Sequence, residues 1–378
     1  MRVCVIRNAE IDNNAGLIRI VDSISENNNI ILITRSRYGE FSKIKNKKFK
    51  YKNNEFENIE INLRKENGRG LLSLLNLFFY QLILFFTLLK NKRKYDVIHS
   101  FDLDTGLVVK AVTTLTRKKY IYHIADFYVD SRKGIPSKLK NFLRKTEFSI
   151  INSAHATIVC TEERVEQIKG SSPKNILVIH NTPSKTILLN DKEQNSIIKN
   201  EEPIEICYIG SLSKTRFIKE LVYTVKKNKN FKLTIGGIGE LSEWLENESQ
   251  TYRNINFLGK VNYSATFDHY MKCDVMVAIY DPEIPNHLFS APNKIYEAMM
   301  MAKPIIAAKG TGLDKIVEVN DIGYLVNYSK EDFSELLDYI CMNRSELHSK
   351  SLNSKKSYKF YSWDVMKERL INLYKDEV

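Results

Sequence analysis

The stretch HLFSAPNKIYEAMMMAKPIIAAKGTGLDKIV, His287–Val317, holds residue types suited to binding an anion and a sugar. An apolar run, DVMVAIY (Asp274–Tyr280), ends in a loop before it. Pro292 suits the first turn of the helix that follows, where its missing N–H costs nothing. The spacing predicts that helix over about 293–301. Its free N-terminal amides, around Ser290, Ala291, Pro292, Asn293 and Lys294, can hold an anion without a cationic side chain. Glu297 falls one turn beyond Asn293 on the same face, where a carboxylate can accept hydrogen bonds from a ribose diol. Diphosphate at the amides and ribose at the carboxylate describe a site for a nucleotide sugar.

Two other motifs suggest different chemistry. FDLDTG (Phe101–Gly106) spaces two hard carboxylates as Mg²⁺ or Mn²⁺ would need. It lies far in sequence from Glu297, and Asp104-Thr105 would serve equally as a helix N-cap, so no metal is expected. GGIGE (Gly236–Glu240) lacks GxGxxG spacing and follows the second strand of its domain. Gly237 is read as letting backbone approach a nucleotide base, with an ordinary tight turn as the alternative. No Ser-His-Asp or Cys-His arrangement stands out.

These residues need strands and helices to place them. In the first half, VCVI, IILIT, DVIHS, YIYHI, ATIVC and ILVIH are short apolar runs separated by helix-length stretches. IEICYIG, FKLTIGG, INFLG, DVMVAIY, PIIAA and GYLV repeat the pattern in the second. Continuous apolar runs alternating with helices mark buried parallel strands. The polar, poorly periodic Ser184–Pro203 separates the two series, so the expected organisation is a domain over 1–183, a linker over 184–203 and a domain over 204–360. Trp363, Met366, Leu370 and Leu373 recur at helical spacing and predict a last amphipathic helix over 361–378, which can cross back to the first domain.

A chain of 378 residues fits two domains, and 43% hydrophobic with 27% charged residues excludes wholesale disorder. Five scattered cysteines without a CxxC argue against a zinc cluster or disulfide framework and favour a reducing compartment. No secretory leader is expected, because the first strand runs straight into a polar loop. The net charge of +12 is uneven: residues 1–185 carry 32 Lys+Arg against 18 Asp+Glu. The first half therefore faces something anionic. Leu71–Leu89 runs 19 residues without a charge, long enough to span a bilayer. Ser73, Asn76, Tyr80 and Thr87 nevertheless fall within about 60° of one another, and a span would split one sheet across the membrane. The segment reads as a helix packed on the first sheet with spare apolar surface. KNKRK (Lys90–Lys94) and the basic run Arg35–Lys52 flank it, so an anionic membrane surface is the expected partner, with a hydrophobic core helix beside solvated lysines as the alternative. Nucleic acid is not, since the basic runs form no recognisable reading helix, zinc finger or RNA-binding sheet.

The sequence resembles the retaining glycosyltransferases of family 4, of GT-B fold. The matching elements are PNKIYEAMMMAKPIIA, YIGSLSKTR (Tyr208–Arg216), IGGIGE, INFLGKV and IHNTP in the second half, and more loosely HSFDLDTG and YHIADFYVD in the first. The resemblance implies two Rossmann-like domains facing across a cleft. The second would bind a nucleoside diphosphate sugar and the first an acceptor, without metal or cofactor. Glu297 then matches the second Glu of the Glu-x7-Glu motif, the ribose ligand. The first Glu is replaced by Phe289, and the backbone of Ser290 and Ala291 is left to contact the donor sugar. Arg216, after Gly210 and Ser211, matches the residue that neutralises the leaving diphosphate. Lys294 would add a second charge there or be solvated.

On the acceptor side the resemblance favours Asp126, ahead of His123 and Asp130, with capping of the next helix as the alternative for Asp126. Gly16 belongs to a loop lining the acceptor cleft or to a plain strand-to-helix turn. The implied activity is hexosyl transfer with retention, the departing phosphate taking the acceptor's proton. Its acceptor would be a lipid-linked glycan or a surface polysaccharide such as lipopolysaccharide or capsule. The enzyme would lie in the cytoplasm, peripheral on the inner face of the cell membrane. A non-catalytic nucleotide- or glycan-binding scaffold and a nucleotide-sugar epimerase are the alternatives.

Overall fold

The computed structural model describes residues 1–12, 14–36, 43–63, 71–132, 134–185, 202–290 and 292–377. The chain divides into two compact units, Met1–His180 with Met366–Val378, and Asn181–Val365.

In the first unit, β1 (Arg2–Arg7), α1 (Ala15–Ser25), β2 (Asn29–Ser36), β3 (Lys43–Tyr51) and β4 (Asn54–Asn62) lead into α2 (Leu71–Lys90). Then come β5 (Val97–Phe101), α3 (Asp102–Thr116), β6 (Lys119–His123), α4 (Ser137–Ser153), β7 (Ala156–Val159), α5 (Glu163–Gln167) and β8 (Ile176–Val178). The described strands form one sheet in the order β3-β4-β2-β1-β5-β6-β7-β8. All neighbours are parallel except β3 with β4. Val3, Val5, Ile33, Ile98, Ile121 and Ile158 are buried on it, as continuous apolar runs require. The β3–β4 hairpin lies outside the expected strands. Its sequence KIKNKKFKY puts lysine where a core strand would put valine, which an edge strand tolerates.

The second unit holds β9 (Ile204–Ile209), α6 (Ile218–Val225), β10 (Phe231–Gly236), α7 (Ser242–Thr251), β11 (Ile255–Phe257) and α8 (Tyr263–Lys272). After these come β12 (Val275–Ala278), α9 (Asn293–Met300), β13 (Ile305–Ala308), α10 (Leu313–Asn320), β14 (Gly323–Val326), α11 (Lys330–Met342) and α12 (Ser345–Tyr361). Its parallel sheet runs β11-β10-β9-β12-β13-β14. The expected pair of Rossmann-like α/β sheets is present.

The last helix, α13 (Trp363–Asn372), and the turn after it bury Met366, Leu370, Leu373 and Tyr374. Arg369 donates to the Val178 carbonyl at 3.2 Å, and Lys367 pairs with Glu26 at 2.5 Å, so the chain end is built into the first unit. Residues 186–201 of the expected linker lie outside the described residues.

Candidate active site

The donor-side residues stand where strands of the second unit end. β9 runs out into Gly210 and Ser211, and β10 ends at Gly236 before the loop residue Gly237. These two loops are bonded to each other: Gly210 N–H donates to Gly236 O at 2.9 Å and Leu212 N–H to Ile238 O at 3.1 Å. Gly237 has φ +137°, and a Cβ there would stand 1.7 Å from the Gly210 carbonyl oxygen. The glycine is therefore required first by loop-to-loop approach, a role neither sequence reading foresaw.

Gly210, Ser211, Gly237, Pro292, Asn293, Lys294 and Glu297 line one cavity of about 490 Å³, together with Ile238, Lys260, Val261, Tyr263, Thr266 and Tyr270. Pro292 is the N-cap of α9 with extended ψ of 144°, not a residue of its first turn, so the helix's free amides begin at Asn293. Ser290 donates its hydroxyl to the Thr311 carbonyl at 3.0 Å and is not among the lining residues. Ala291 lies outside the described residues.

Glu297 is buried, and two hydroxyls hold it: Tyr263 donates to Oε1 at 3.0 Å and Tyr270 to Oε2 at 3.3 Å. Ionised, each oxygen keeps accepting capacity beyond those bonds. Tyr263 and Tyr270 were missed in the sequence. Their i, i+7 spacing on α8 was the available signal, since it puts both on one face two turns apart.

The two cations sit on aromatic rings. Arg216 lies 4.0 Å from the centre of the Tyr280 ring, and Lys294 Nζ lies 4.6 Å from that of Tyr208. Burial acts to lower the Lys294 pKa. Tyr280, Tyr208 and Glu297 outweigh burial and the opposing Arg216 charge, so the ammonium stays protonated more firmly than an ordinary lysine. A Cβ on Gly210 would stand 2.5 Å from Lys294 Nζ, so the glycine leaves room for the ammonium at the cavity wall. Phe289, in place of the motif's first Glu, is half-buried at the end of a 3-10 turn, Pro285–Phe289.

On the acceptor side, several expectations need correction. Gly16 is not in a loop: it sits in the first turn of α1, whose N-cap Asn14 accepts from Leu17 N–H at 3.0 Å. Asp126 caps no helix, because α4 starts at Ser137 after Pro136. Its carboxylate is 61% exposed and pairs with the buried Arg164 at 3.6 Å. Asp130 is buried among Lys140, Arg144 and Gln167, which makes it a tie between α4 and α5. Asp104-Thr105 is no N-cap either, for α3 begins at Asp102, in left-handed conformation at φ +58°.

Asp102 Oδ1 accepts from the backbone N–H of Ala125 at 2.8 Å and of Asp126 at 3.1 Å, tying the ends of β5 and β6 together. Burial raises its pKa to about 6 against the opposing Arg7 charge and these bonds. Asp104 Oδ2 accepts from Asn8 at 2.9 Å. Both carboxylates of FDLDTG thus have structural tasks. His123 is buried at the end of β6, where Nδ1 meets His99 Nε2 at 3.1 Å.

Helix α2 inverts the usual pattern. Tyr80 and Thr87 of its polar stripe are buried, while Phe78, Phe79, Leu82 and Phe86 are exposed, Phe86 by 65%. Among the described residues, no helix is long and apolar enough to cross a membrane. Much of the basic run before α2 is answered by acids: Lys47 pairs with Glu60 at 2.7 Å, Lys48 with Glu55 at 2.5 Å and Lys52 with Asp22 at 2.7 Å. That run contributes less free charge than its composition implied.

Residues 203–343 match the family model described as glycosyl transferases group 1. An uncharacterized glycosyltransferase of Methanocaldococcus jannaschii is 26% identical over 303 residues, 75% of each chain. The sucrose-phosphate synthase of Thermosynechococcus elongatus superposes with TM-score 0.76 at 14% identity, covering 99% of this chain and 98% of that one. Residues 203–343 thus form a glycosyl transferases group 1 domain, and the chain has the GT-B fold. Other solved relatives carry nucleotides. The E. coli trehalose-6-phosphate structure bound with UDP-2-fluoro glucose has TM-score 0.75 at 11% identity, and Anabaena HepE with UDP and glucose has 0.68 at 12%, each covering 100% of both chains. The matched segment contains the whole cavity around Glu297.

Proposed function

We propose that the enzyme moves a hexose, with retention, from a nucleoside diphosphate sugar to a lipid-linked glycan or surface polysaccharide acceptor at the inner face of the cell membrane. One cavity joining the α9 amides, Lys294 and Glu297 carries the reading. A diphosphate fits the amides and the ammonium, and a ribose diol fits the remaining acceptors of Glu297. As the glycosyl–phosphate bond breaks, charge grows on the diphosphate, where preorganised donors are most effective. Arg216 and Lys294 supply the cations, so neither metal nor cofactor is required. The departing phosphate oxygen takes the acceptor hydroxyl's proton as the new glycosidic bond forms. The UDP and UDP-sugar complexes among the structural relatives make uridine nucleotides the first donors to test.

The membrane assignment is supported by α2, whose exposed phenylalanines adjoin Lys90, Lys92 and Arg93, none with an acidic partner among the described residues. Exposed Leu107 and Leu115 on α3 and Leu139 and Phe142 on α4 extend the apolar surface, since α2 packs on α3 and α3 on α4.

A nucleotide-sugar thermal-shift screen followed by transfer assays on the hits tests the function. A donor at about 100 times its Kd should stabilise the protein by about 2.7 kcal/mol. Glu297→Gln removes the charge but keeps an acceptor for one tyrosine, and should weaken binding about 10- to 100-fold. EDTA should leave turnover unchanged. Donor binding with neither transfer nor hydrolysis, across a broad acceptor panel, would refute the enzymatic reading in favour of a scaffold.

A further inference from the structure

Three buried polar side chains in the first unit form a single file. The Tyr374 hydroxyl lies 2.7 Å from His99 Nδ1, and His99 Nε2 lies 3.1 Å from His123 Nδ1. His99 has no exposure, Tyr374 has 6% and His123 has 7%. The Phe101 ring stacks on both imidazoles, 4.9 Å from His99 and 4.4 Å from His123 between centres, and Arg7 lies 4.8 Å from its centre. Burial, then the Arg7 charge, brings the His99 pKa down to about 3. Burial, then His99 and Arg7, holds His123 well below its ordinary value. Both rings are neutral at physiological pH.

A neutral imidazole has one N–H and one lone pair, so a single end of such a file sets the direction of every bond in it. Tyr374 makes no other hydrogen bond among the described residues. If it accepted from His99, its own proton would be buried without an acceptor, and an orphaned buried donor is tolerated less often than an oxygen with a lone pair unfilled. The phenol therefore donates to His99 Nδ1. His99 then carries its proton on Nε2 and donates it to His123 Nδ1, which leaves the His123 proton on Nε2.

We propose that Tyr374, acting through His99, fixes His123 as the Nε2–H tautomer, so that His123 offers a hydrogen-bond donor and not a base at the end of β6. Resting on the acceptor-side reading above, His123 holds an acceptor oxygen by donation. The acceptor proton is left to the departing phosphate. Tyr374 is a positioning residue, joined to the interior strand β5 across 275 positions of sequence.

The test uses the full chain labelled with ¹⁵N-histidine, its long-range ¹H–¹⁵N spectra assigned with His99→Gln and His123→Gln. Wild type should show both His99 and His123 protonated at Nε2, unchanged between about pH 5 and 8. Tyr374→Phe keeps the ring and removes the donor. The His123 signals should move to a tautomer mixture, and acceptor KM should rise about tenfold while kcat changes less than about threefold. A His123 protonated at Nδ1 in wild type, or one unmoved in Tyr374→Phe, overturns the proposal. If Tyr374→Phe does not fold, the wild-type spectrum decides alone. Because the tautomer is read without turnover, failure to find any transfer reaction would count against the function and leave this result standing.

Discussion

At the residue scale, the donor site depends on side chains held by their neighbours. Glu297 and Lys294 were legible in the sequence because a helix start fixes its own geometry. The tyrosines that hold them were not, since contacts between α8 and α9, or between β9 and Lys294, are not local in sequence. Gly237→Ala should be severely destabilising, as the new methyl meets the Gly210 carbonyl at 1.7 Å; loss of the folded second unit by circular dichroism checks it. Gly210→Ala instead forces only the mobile end of Lys294 aside, so donor affinity should fall about tenfold or more by calorimetry with the melting temperature nearly kept.

A separate residue-scale prediction concerns Glu147, fully buried and held by Tyr122 at 2.9 Å and the Tyr128 N–H at 3.3 Å. Burial pushes its pKa up to about 8. Because the folded value lies above the unfolded one, its stabilising contribution is complete below about pH 4.5. It is lost as pH rises toward 8, at about 1.4 kcal/mol per pH unit. Denaturant melts of Glu147→Gln against wild type should show that slope missing from the variant between those limits.

At the element scale, α2 is the feature that composition flagged and packing resolved. Nineteen uncharged residues satisfy both a membrane span and a core helix. The structure turns Tyr80, Leu84 and Leu88 inward and leaves phenylalanines outside. Phe78→Ser with Phe86→Ser should leave the melting temperature nearly unchanged, because both rings are already exposed. Flotation with vesicles containing anionic lipid should fall several-fold. Equal flotation of variant and wild type, or equal binding to neutral vesicles at high salt, would contradict docking through this helix and its basic neighbours. The β3–β4 hairpin shows the opposite failure. Its lysine-rich edge strand has no apolar alternation to announce it, and its pairing with β4 is settled by cross-strand ion pairs and the register Lys48↔Glu57, Phe49↔Phe56.

At the scale of the molecule, the chain end belongs to the first unit although the preceding helices belong to the second. A chain ending at Val365 would remove Met366, Leu370, Leu373 and Tyr374 from the first unit's core, at about 1.5–3 kcal/mol for each fully buried apolar side chain. Hydrogen exchange should then show lost protection in β1, β5 and β6 while β9 and β12 keep theirs. By itself the sequence determined the class of both sheets, the place of α9 and the carboxylate in it, because strand runs and helix starts are written in local periodicity. It also marked which half carries the excess positive charge. Only the tertiary structure decided which hydroxyls hold Glu297, which lysines are already paired, which face of α2 meets solvent, and that Tyr374 reaches His99. Those are contacts between residues far apart in sequence, and no local periodicity encodes them.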